Sequence, residues 1–275
     1  MKFIEISHHT CTARISLKGG QLLFWQPTNT STPVLWSTPE QLFHPEKPIR
    51  GGVPICWPWF GKTKLPSHGF VRDMVWHIVS RRDLRHYVEI VLKLSDNDFS
   101  KRHWPHPFNL TLTYQLGIRC SIEMKVDCDQ PSFGALHSYF HVKNISQTVI
   151  HGVGHDYQES DNDFTEPNNK NTLKNPQSLD RIYLNPANIT KIEDIALERS
   201  ITLTHLNSHN LVVWNPGPEG AKNLKDMEHN AYKSMVCVET AAITAPLKSS
   251  IGVIIEVNDH NISPVTDSNE YEEQQ

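Results

Sequence analysis

The segment FNLTLTYQLGIRCSIEMKVDC, residues 108–128, carries the clearest structural pattern in this chain. Apolar and polar side chains alternate from Phe108 to Leu116 and again from Ile122 to Cys128. A period of two is the pattern of a β-strand with one buried face and one wet face. Gly117 to Cys120 lie between the two runs, so the segment predicts an antiparallel hairpin.

Strand-like runs recur along the rest of the chain. The further strand candidates are Ala13–Leu17, Gln21–Gln26, Val75–Arg81, Tyr87–Ser95, Ser138–Val142, Ile201–His205, Leu211–Trp214, Met235–Thr240 and Ile251–Val257. Helical periodicity is sparse, and only Asp226–Lys233 indicates a short helix. Many strands and few helices predict an all-β fold, a large antiparallel β-sandwich with few short helices.

The chain shows no boundary that would divide it into domains. It has neither an internal repeat nor a low-complexity linker, and residues 1–265 are therefore expected to form a single β-sandwich domain. The polar, Asn- and Asp-rich segment Asp156–Asn175 indicates either a long exposed loop or an excursion that pairs with the sheet. Residues 266–275 are polar and acidic, which is typical of a disordered tail.

Composition excludes several classes of function. The net charge is −4 and no Lys/Arg-rich run is present, which disfavours a nucleic-acid partner. The first ten residues lack the apolar core of a secretion signal, and no run approaches the ~20 apolar residues of a membrane span. Five scattered cysteines without a CxxC pair fit reduced thiols. These features predict a cytoplasmic protein without a membrane partner, with a monomer as the default.

The segment from Pro48 to Arg72 has neither a helical nor an alternating period. It is rich in proline and glycine, which fix or permit unusual backbone angles, and it holds Arg50, His68 and Arg72. Two arginines and a histidine in one such loop indicate recognition of an anion, phosphate or carboxylate.

The aromatic residues of the same loop allow two interpretations. Trp57 and Trp59 are large apolar faces of the kind that line sugar and other ligand pockets. Alternatively, together with Phe60, they close the end of a core while the loop arginines pair with nearby acids. Composition leaves both interpretations open.

Two residues fit acid–base chemistry by their context. His137 lies at the entry to a run of strand-forming aromatics, and Glu239 ends the apolar run Met235–Val238. A carboxylate at the end of a buried strand is partly desolvated, which raises its pKa and suits it to proton abstraction. Taken singly, each also fits a structural role, as a hydrogen-bonded core histidine or a salt-bridge partner. Asp180 could accept hydrogen bonds from sugar hydroxyls or cap a turn.

Metal and nucleotide signatures are absent from the sequence. Gly51-Gly52 lacks the spacings of the phosphate-binding and dinucleotide-binding loops. Among the 16 histidines, His103-x-x-His106 is the tightest pair, but no third ligand follows at a recognisable spacing and HExxH is missing. The sequence therefore predicts a site without a metal or a cofactor.

Six motifs occur in an order that belongs to a known family. They are PIRGGVPICWPWFG (48–61), LPSHGFVR (65–72), LHSYF (136–140), DRIY (180–183), VVWNPG (212–217) and VCVE (236–239). From about Gly19 to Val257 the chain resembles the glucose-6-phosphate 1-epimerases, or hexose-6-phosphate mutarotases. These form a branch of the aldose 1-epimerase, galactose-mutarotase-like superfamily. The resemblance implies a large β-sandwich with its site in a groove on one sheet.

The resemblance also implies an activity and a role for each motif residue. The expected reaction is interconversion of the α and β anomers of a hexose 6-phosphate, with a charged general acid, an ionised general base and no cofactor. The implied acid is His137, the base is Glu239, the phosphosugar ligands are Arg50 and Arg72, a sugar contact is Asp180, and a further site residue is His68.

The chain departs from the family pattern at three places. Ser67 stands where some relatives carry glutamine, Val71 stands where alanine is usual, and the segment after Gly154 differs. These departures bear on the identity of the sugar. A carbohydrate-binding module or a sugar-phosphate sensor is the non-catalytic alternative, but His137 and Glu239 within intact motifs favour catalysis.

Overall fold

Strands dominate the computed structural model of this chain. The structure describes residues 1–44, 47–160, 165–167 and 171–261. The acidic tail, residues 266–275, lies outside these described residues.

The secondary structure is almost entirely extended. The described residues form twenty strands: β1 (Phe3–His8), β2 (Cys11–Ser16), β3 (Leu22–Pro27), β4 (Ile55–Cys56), β5 (His77–Asp83), β6 (Tyr87–Ser95), β7 (Asn109–Gly117), β8 (Cys120–Asp127), β9 (Gly134–Leu136), β10 (Tyr139–His141), β11 (Thr148–His151), β12 (Asp156–Glu159), β13 (Thr165–Pro167), β14 (Thr172–Lys174), β15 (Leu179–Leu184), β16 (Ile189–Asp194), β17 (Arg199–Leu206), β18 (Asn210–Asn215), β19 (Met235–Ala242) and β20 (Ser250–Asp259).

Helices in this fold are few and short. The two α-helices are α1 (Asp98–His103) and α2 (Gly217–Asn223), and the 3₁₀ helices are Glu40–Leu42, Val71–Asp73, Ile145–Gln147, Ile195–Leu197 and Ala231–Ser234. Within the described part of the chain, no helix has the length and apolarity that crossing a membrane requires.

The strands pair antiparallel in three sheets. A small sheet has the order β1-β2-β3. The front sheet, as we call the eight-stranded one, has the order β13-β12-β15-β18-β19-β9-β4, with β10 also paired to β19. The nine-stranded back sheet has the order β14-β11-β16-β17-β20-β8-β7-β6-β5. The all-β sandwich predicted from the sequence is therefore confirmed.

The hairpin that opened the sequence analysis lies in the back sheet. β7 pairs with β8 antiparallel, as predicted, with Leu116 opposite Cys120. The apolar side chains Leu110, Leu112 and Tyr114 are fully buried, in one cluster with front-sheet residues. Each large apolar side chain that is buried in this way stabilises the fold by about 1.5–3 kcal/mol.

Strand β19 divides its side chains between two environments. Val236 and Val238 pack in the core cluster between the sheets. Successive side chains of a strand point to opposite faces, so Cys237 and Glu239 lie on the other face, which we call the outer face of the front sheet. Cys237 packs there in a separate cluster with Trp36 and other side chains.

The helix predicted over Asp226–Lys233 was wrong. Only Ala231–Ser234 is helical, as a 3₁₀ turn, and the α-helix of this region is α2, nearer the amino terminus. Asp226 is instead fixed by a tertiary contact, because its carboxylate accepts a hydrogen bond from Arg50 Nε at 2.9 Å. For Asp156–Asn175, the described residues contain the short paired strands β12, β13 and β14, so the pairing interpretation holds.

The positions of the loop tryptophans favour the interpretation that they pack in the core. Trp57 is fully buried and Trp59 is 5% exposed, and both belong to the core cluster. The backbone of the loop closes tightly against this core. A side chain at Gly69 would place its Cβ 1.8 Å from the carbonyl oxygen of Trp57, and Gly69 has a φ of +74°.

Gly69→Ala is expected to destabilise the protein more than Gly61→Ala. Both glycines have a left-handed φ, and both variants incur about 1–2 kcal/mol from that backbone conformation. Gly61 has open space around it, so only Gly69→Ala adds a clash with rigid backbone. Urea unfolding of the two variants measures the difference. Equal losses in the free energy of unfolding would contradict the described loop conformation.

Candidate active site

His137 and Glu239 face each other on the outer face of the front sheet. Strand β9 ends with Leu136 opposite Thr240, and β10 begins with Tyr139 in the same register along β19. His137 therefore lies directly opposite Glu239, and its Nε2 is 3.3 Å from the carboxylate Oε1. The structure thus brings together the two residues predicted as acid and base.

A local turn sets the orientation of His137. The amide of Ser138 donates to the carbonyl of Leu136 at 2.9 Å, and the amide of His137 donates to the carbonyl of Pro54 at 3.0 Å. The ladder that β9 and β10 form in succession with β19 is therefore interrupted at the histidine. The imidazole stacks on the Tyr139 ring, with centroids 4.9 Å apart and an interplanar angle of 13°.

Burial shifts both groups of this pair towards their neutral forms. The side chain of His137 is 10% exposed and that of Glu239 is 1% exposed. Burial, then nearby positive charges, hold the pKa of His137 well below its ordinary range. Burial, then the Asp180 carboxylate, raise the pKa of Glu239 well above its ordinary range, against an opposing effect of Arg72.

The directions of both pKa shifts run against the charged His137 and the ionised Glu239 that are expected at the start of the reaction. The raised pKa that the sequence predicted for Glu239 is confirmed, but the lowered pKa of His137 favours a neutral imidazole. The two shifts have opposite directions, which favours a coupled pair that shares one proton, with the carboxyl group as its favoured position.

The two predicted arginines lie close to this pair. Arg50 donates from Nε to Asp226 at 2.9 Å and from Nη1 to the Tyr139 hydroxyl at 3.3 Å. Arg72 donates from Nη2 to the carbonyl of Ser67 at 2.6 Å. Its Nε is buried without a hydrogen-bond partner among the residues that the structure describes. Both guanidinium charges lower the pKa of His137, which indicates that they face the same space.

His68 lies against His137. Its backbone is left-handed, with a φ of 62°, and its amide donates to the Gly61 carbonyl at 2.7 Å. The ring centroid is 5.5 Å from that of His137 and 4.8 Å from that of Phe60. Burial and then the charge of Arg72 are the largest causes that lower the pKa of His68 to about 3. The ring is therefore neutral at physiological pH.

Asp180 lies farther away on the same face. It is exposed, on β15 opposite Trp214 of β18, and it accepts a hydrogen bond from the Ser160 hydroxyl at 2.5 Å. β18 lies between β15 and β19, so about 10 Å of strand spacing separates the backbones that carry Asp180 and Glu239. Its charge still contributes to the raised pKa of Glu239.

The amino-acid sequence of this chain matches one protein family over nearly the whole length of the chain. The family model of aldose 1-epimerase matches residues 2–251.

The chain belongs to the aldose 1-epimerase family.

Several relatives are similar to this chain in sequence, and a solved structure is similar to it in fold. A protein of Salmonella typhimurium that bears the name of a candidate glucose-6-phosphate 1-epimerase is 35% identical, over 91% of this chain and 86% of its own. One of Escherichia coli with the same name is 36% identical, over 88% of this chain and 83% of its own. The crystal structure of a candidate mutarotase from Salmonella typhimurium superposes with a TM-score of 0.88 at 34% identity, covering 94% of this chain and 90% of the other.

Four residues that lie at or near the candidate site were not predicted as site residues from the sequence: Tyr139, Asp226, Trp214 and Cys237. Tyr139 and Cys237 stand two residues from His137 and from Glu239, so a period of two could have placed them on the same face. Predicting the position of Trp214 requires the knowledge that β18 pairs with β19. No local sequence pattern indicates that Asp226 lies near the other three residues.

Proposed function

We propose that this aldose 1-epimerase interconverts the α and β anomers of a hexose 6-phosphate, with D-glucose 6-phosphate as the first substrate to test. The observation that carries the proposal is the buried contact of 3.3 Å between His137 Nε2 and Glu239 Oε1. The names of the relatives support the choice of substrate. A carbohydrate-binding module has no need for a buried acid–base pair.

Anomer exchange requires one acid and one base at the same moment. Ring opening removes the proton of the anomeric hydroxyl, O1, while the ring oxygen, O5, gains one. A pair that holds a single proton supplies both groups. In our proposal Glu239 takes the O1 proton and His137 gives a proton to O5. Rotation about C1–C2 then presents the other carbonyl face, and the same groups close the ring in reverse.

The substrate phosphate is proposed to prepare the acid. The guanidinium charges of Arg50 and Arg72 are among the causes that depress the pKa of His137. A phosphate dianion bound between them would offset these charges and favour transfer of the shared proton from Glu239 to His137. Remote binding of the phosphate would also hold the sugar ring in register with the pair.

Polar and aromatic groups around the pair would hold the rest of the sugar. Asp180 carries acceptors for sugar hydroxyls on the open side of the sheet. Trp214, which is half-buried between Asp180 and Cys237, offers an apolar ring face. His68 would present a neutral ring nitrogen, because its pKa is about 3.

The proposal also covers the cellular location and the oligomeric state of the enzyme. A phosphorylated hexose is charged and does not cross a bilayer unaided, so we propose a cytoplasmic location. The largest core cluster contains residues from strands of all three sheets, which supports one domain over the described residues, and a monomer is the proposed state.

Exchange NMR of α-D-glucose 6-phosphate tests the function directly. Catalytic amounts of the protein are expected to speed magnetisation transfer between the two anomeric protons beyond the buffer rate. Galactose 6-phosphate, glucose and galactose in parallel define the preferred sugar. A rate equal to that of buffer for every sugar would rule out the proposed activity.

The pH profile of kcat/KM is expected to differ from the narrow bell that the ordinary pKa values of histidine and glutamate would give. The pair gains a second proton when His137 is protonated, and its lowered pKa moves that acid limb below the ordinary histidine value of 6.5. The pair loses its only proton when Glu239 ionises, and its raised pKa moves the alkaline limb above the ordinary value of 4.5. Polarimetry across pH measures both limbs. Glucose is measured in parallel as a control, because the phosphate ester has a pKa of its own of about 6. A bell confined between the two ordinary values would contradict the shifts.

A further inference from the structure

Three metal-binding side chains converge at the centre of the outer face. The imidazole of His137, the thiol of Cys237 and the carboxylate of Glu239 each have a donor atom within 4.8 Å of the other two. All three residues are buried, and the described residues contain no other group of three such side chains. Cys237 and Glu239 are two residues apart on β19 and therefore lie on the same face, and His137 lies opposite Glu239.

The spacing of these donors fits a small tetrahedral cation. Nitrogen and oxygen ligands about 2.0–2.1 Å from zinc, at tetrahedral angles, lie about 3.3–3.4 Å from each other. His137 Nε2 and Glu239 Oε1 are 3.3 Å apart. A sulfur ligand at about 2.3 Å would lie about 3.5 Å from each of them, so the Cys237 thiol has to move by little more than about 1 Å.

The buried polar atoms of this group are also incompletely satisfied. Nδ1 of His137 and Oε2 of Glu239 are buried without hydrogen-bond partners in the part of the chain that the structure describes. Leaving a buried polar atom without a partner costs free energy. A cation bound by His137 Nε2 and Glu239 Oε1 would not lower that cost, because the unpartnered Nδ1 and Oε2 are the other two atoms of these groups. The mixed nitrogen, sulfur and oxygen donor set matches zinc-like ions and does not match Mg²⁺, which prefers oxygen ligands.

We propose that His137, Cys237 and Glu239 form an inhibitory site for a thiophilic divalent cation of the zinc class. On binding, the Cys237 thiol and the Glu239 carboxyl group each release a proton to solvent, and the thiolate sulfur coordinates the cation. The imidazole nitrogen contributes its lone pair and the carboxylate an oxygen, which leaves the fourth position open. The cation then occupies the two groups that anomer exchange uses. The inhibition rests on the proposed function, whereas the binding does not.

Metal binding is tested with Co²⁺ and Cd²⁺, whose thiolate complexes absorb in the ultraviolet. The wild type is expected to bind one equivalent with a thiolate charge-transfer band, and Zn²⁺ is expected to displace the probe. Cys237→Ser and Cys237→Ala should lose the band and weaken binding more than about tenfold, since the loss of even an outer partner costs that much. Cys128→Ser, which removes the half-buried thiol outside this group, is the matched control and should bind as the wild type.

The binding experiment can overturn the site in two ways. An unchanged band in both Cys237 variants would do so, as would loss of the band in Cys128→Ser alone. Circular dichroism establishes that each variant is folded. Two Cys237 variants are used because serine adds a buried hydroxyl whereas alanine does not.

Inhibition is tested separately on anomer exchange. Zn²⁺ is expected to inhibit the wild type at concentrations where Mg²⁺ has no effect, and EDTA should restore the rate. Relative to its own metal-free rate, each Cys237 variant should need more than about tenfold more Zn²⁺. Full activity with the metal bound would overturn the inhibitory role. A Cys237-dependent band in a protein without anomerase activity would support the metal site and overturn the proposed function.

Discussion

Replacing Glu239 by glutamine is expected to lower kcat for anomer exchange by about 10²–10⁴-fold, the usual effect of a positioned acid or base. Glutamine keeps the size of the side chain but cannot gain or lose the proton that the pair with His137 must carry. KM for the sugar phosphate should change little, because the arginines that bind phosphate remain. Exchange NMR with saturating substrate measures the rate, and thermal melts establish that the buried amide is tolerated.

A second histidine–glutamate contact in the chain provides the matched control. His151 Nε2 lies 3.0 Å from Glu193 Oε2, but both side chains are about four-tenths exposed and lie on the back sheet. Glu193→Gln makes the same chemical change outside the front sheet and should leave the rate unchanged. His137→Asn should lose as much as Glu239→Gln, and the double variant little more, because the two residues act as a unit. A wild-type rate in Glu239→Gln would end the assignment of the base.

Arg72→Ala is expected to cost about 10–150-fold in kcat/KM for hexose 6-phosphate and little for the free hexose. The range corresponds to the about 1.5–3 kcal/mol that a hydrogen bond to a charged group contributes. Arg72 Nε is buried without a partner in the described chain, so it has a donor available for phosphate. Polarimetric rates on the two sugars give the ratio that decides the matter.

Two controls separate phosphate binding from general damage. Arg81 is an exposed arginine paired with Asp83 on β5, so Arg81→Ala removes the same charge far from the front sheet. It should leave both sugars unaffected. Arg72 also donates to the Ser67 carbonyl, so a urea midpoint for Arg72→Ala checks the loop. Equal losses on phosphorylated and free hexose would show that this arginine supports the loop rather than the phosphate.

The sequence predicted individual strands well and their contacts poorly. The hairpin of β7 and β8 followed from side-chain alternation, because both partners lie within one short segment. The opposition of His137 and Glu239 could not be deduced in this way, since about a hundred residues separate them and only the register of β9 and β10 on β19 aligns them. The family resemblance named both residues without giving their distance.

The same limit applies to the charges in the site. Burial at the end of an apolar strand was enough to predict a raised pKa for Glu239. The lowered pKa of His137 also depends on Arg50 and Arg72, whose approach is a result of tertiary folding. Asp226 illustrates the point again. Its pairing with Arg50 links a loop after β18 to the segment before β4, and it replaced the helix that local pattern indicated.

The division of β19 between core and outer face has a consequence for how the site can vary. Val236 and Val238 anchor one side of the strand in the core, while Cys237 and Glu239 occupy the other. A slip of β19 by one residue would drive the carboxylate into the apolar core and move the valines out of that core to the outer face. The strand register that packs the core is therefore the same register that places Glu239 opposite His137. A chain that misplaces its base along this strand also forfeits its core, whereas the arginine loops can change without that penalty.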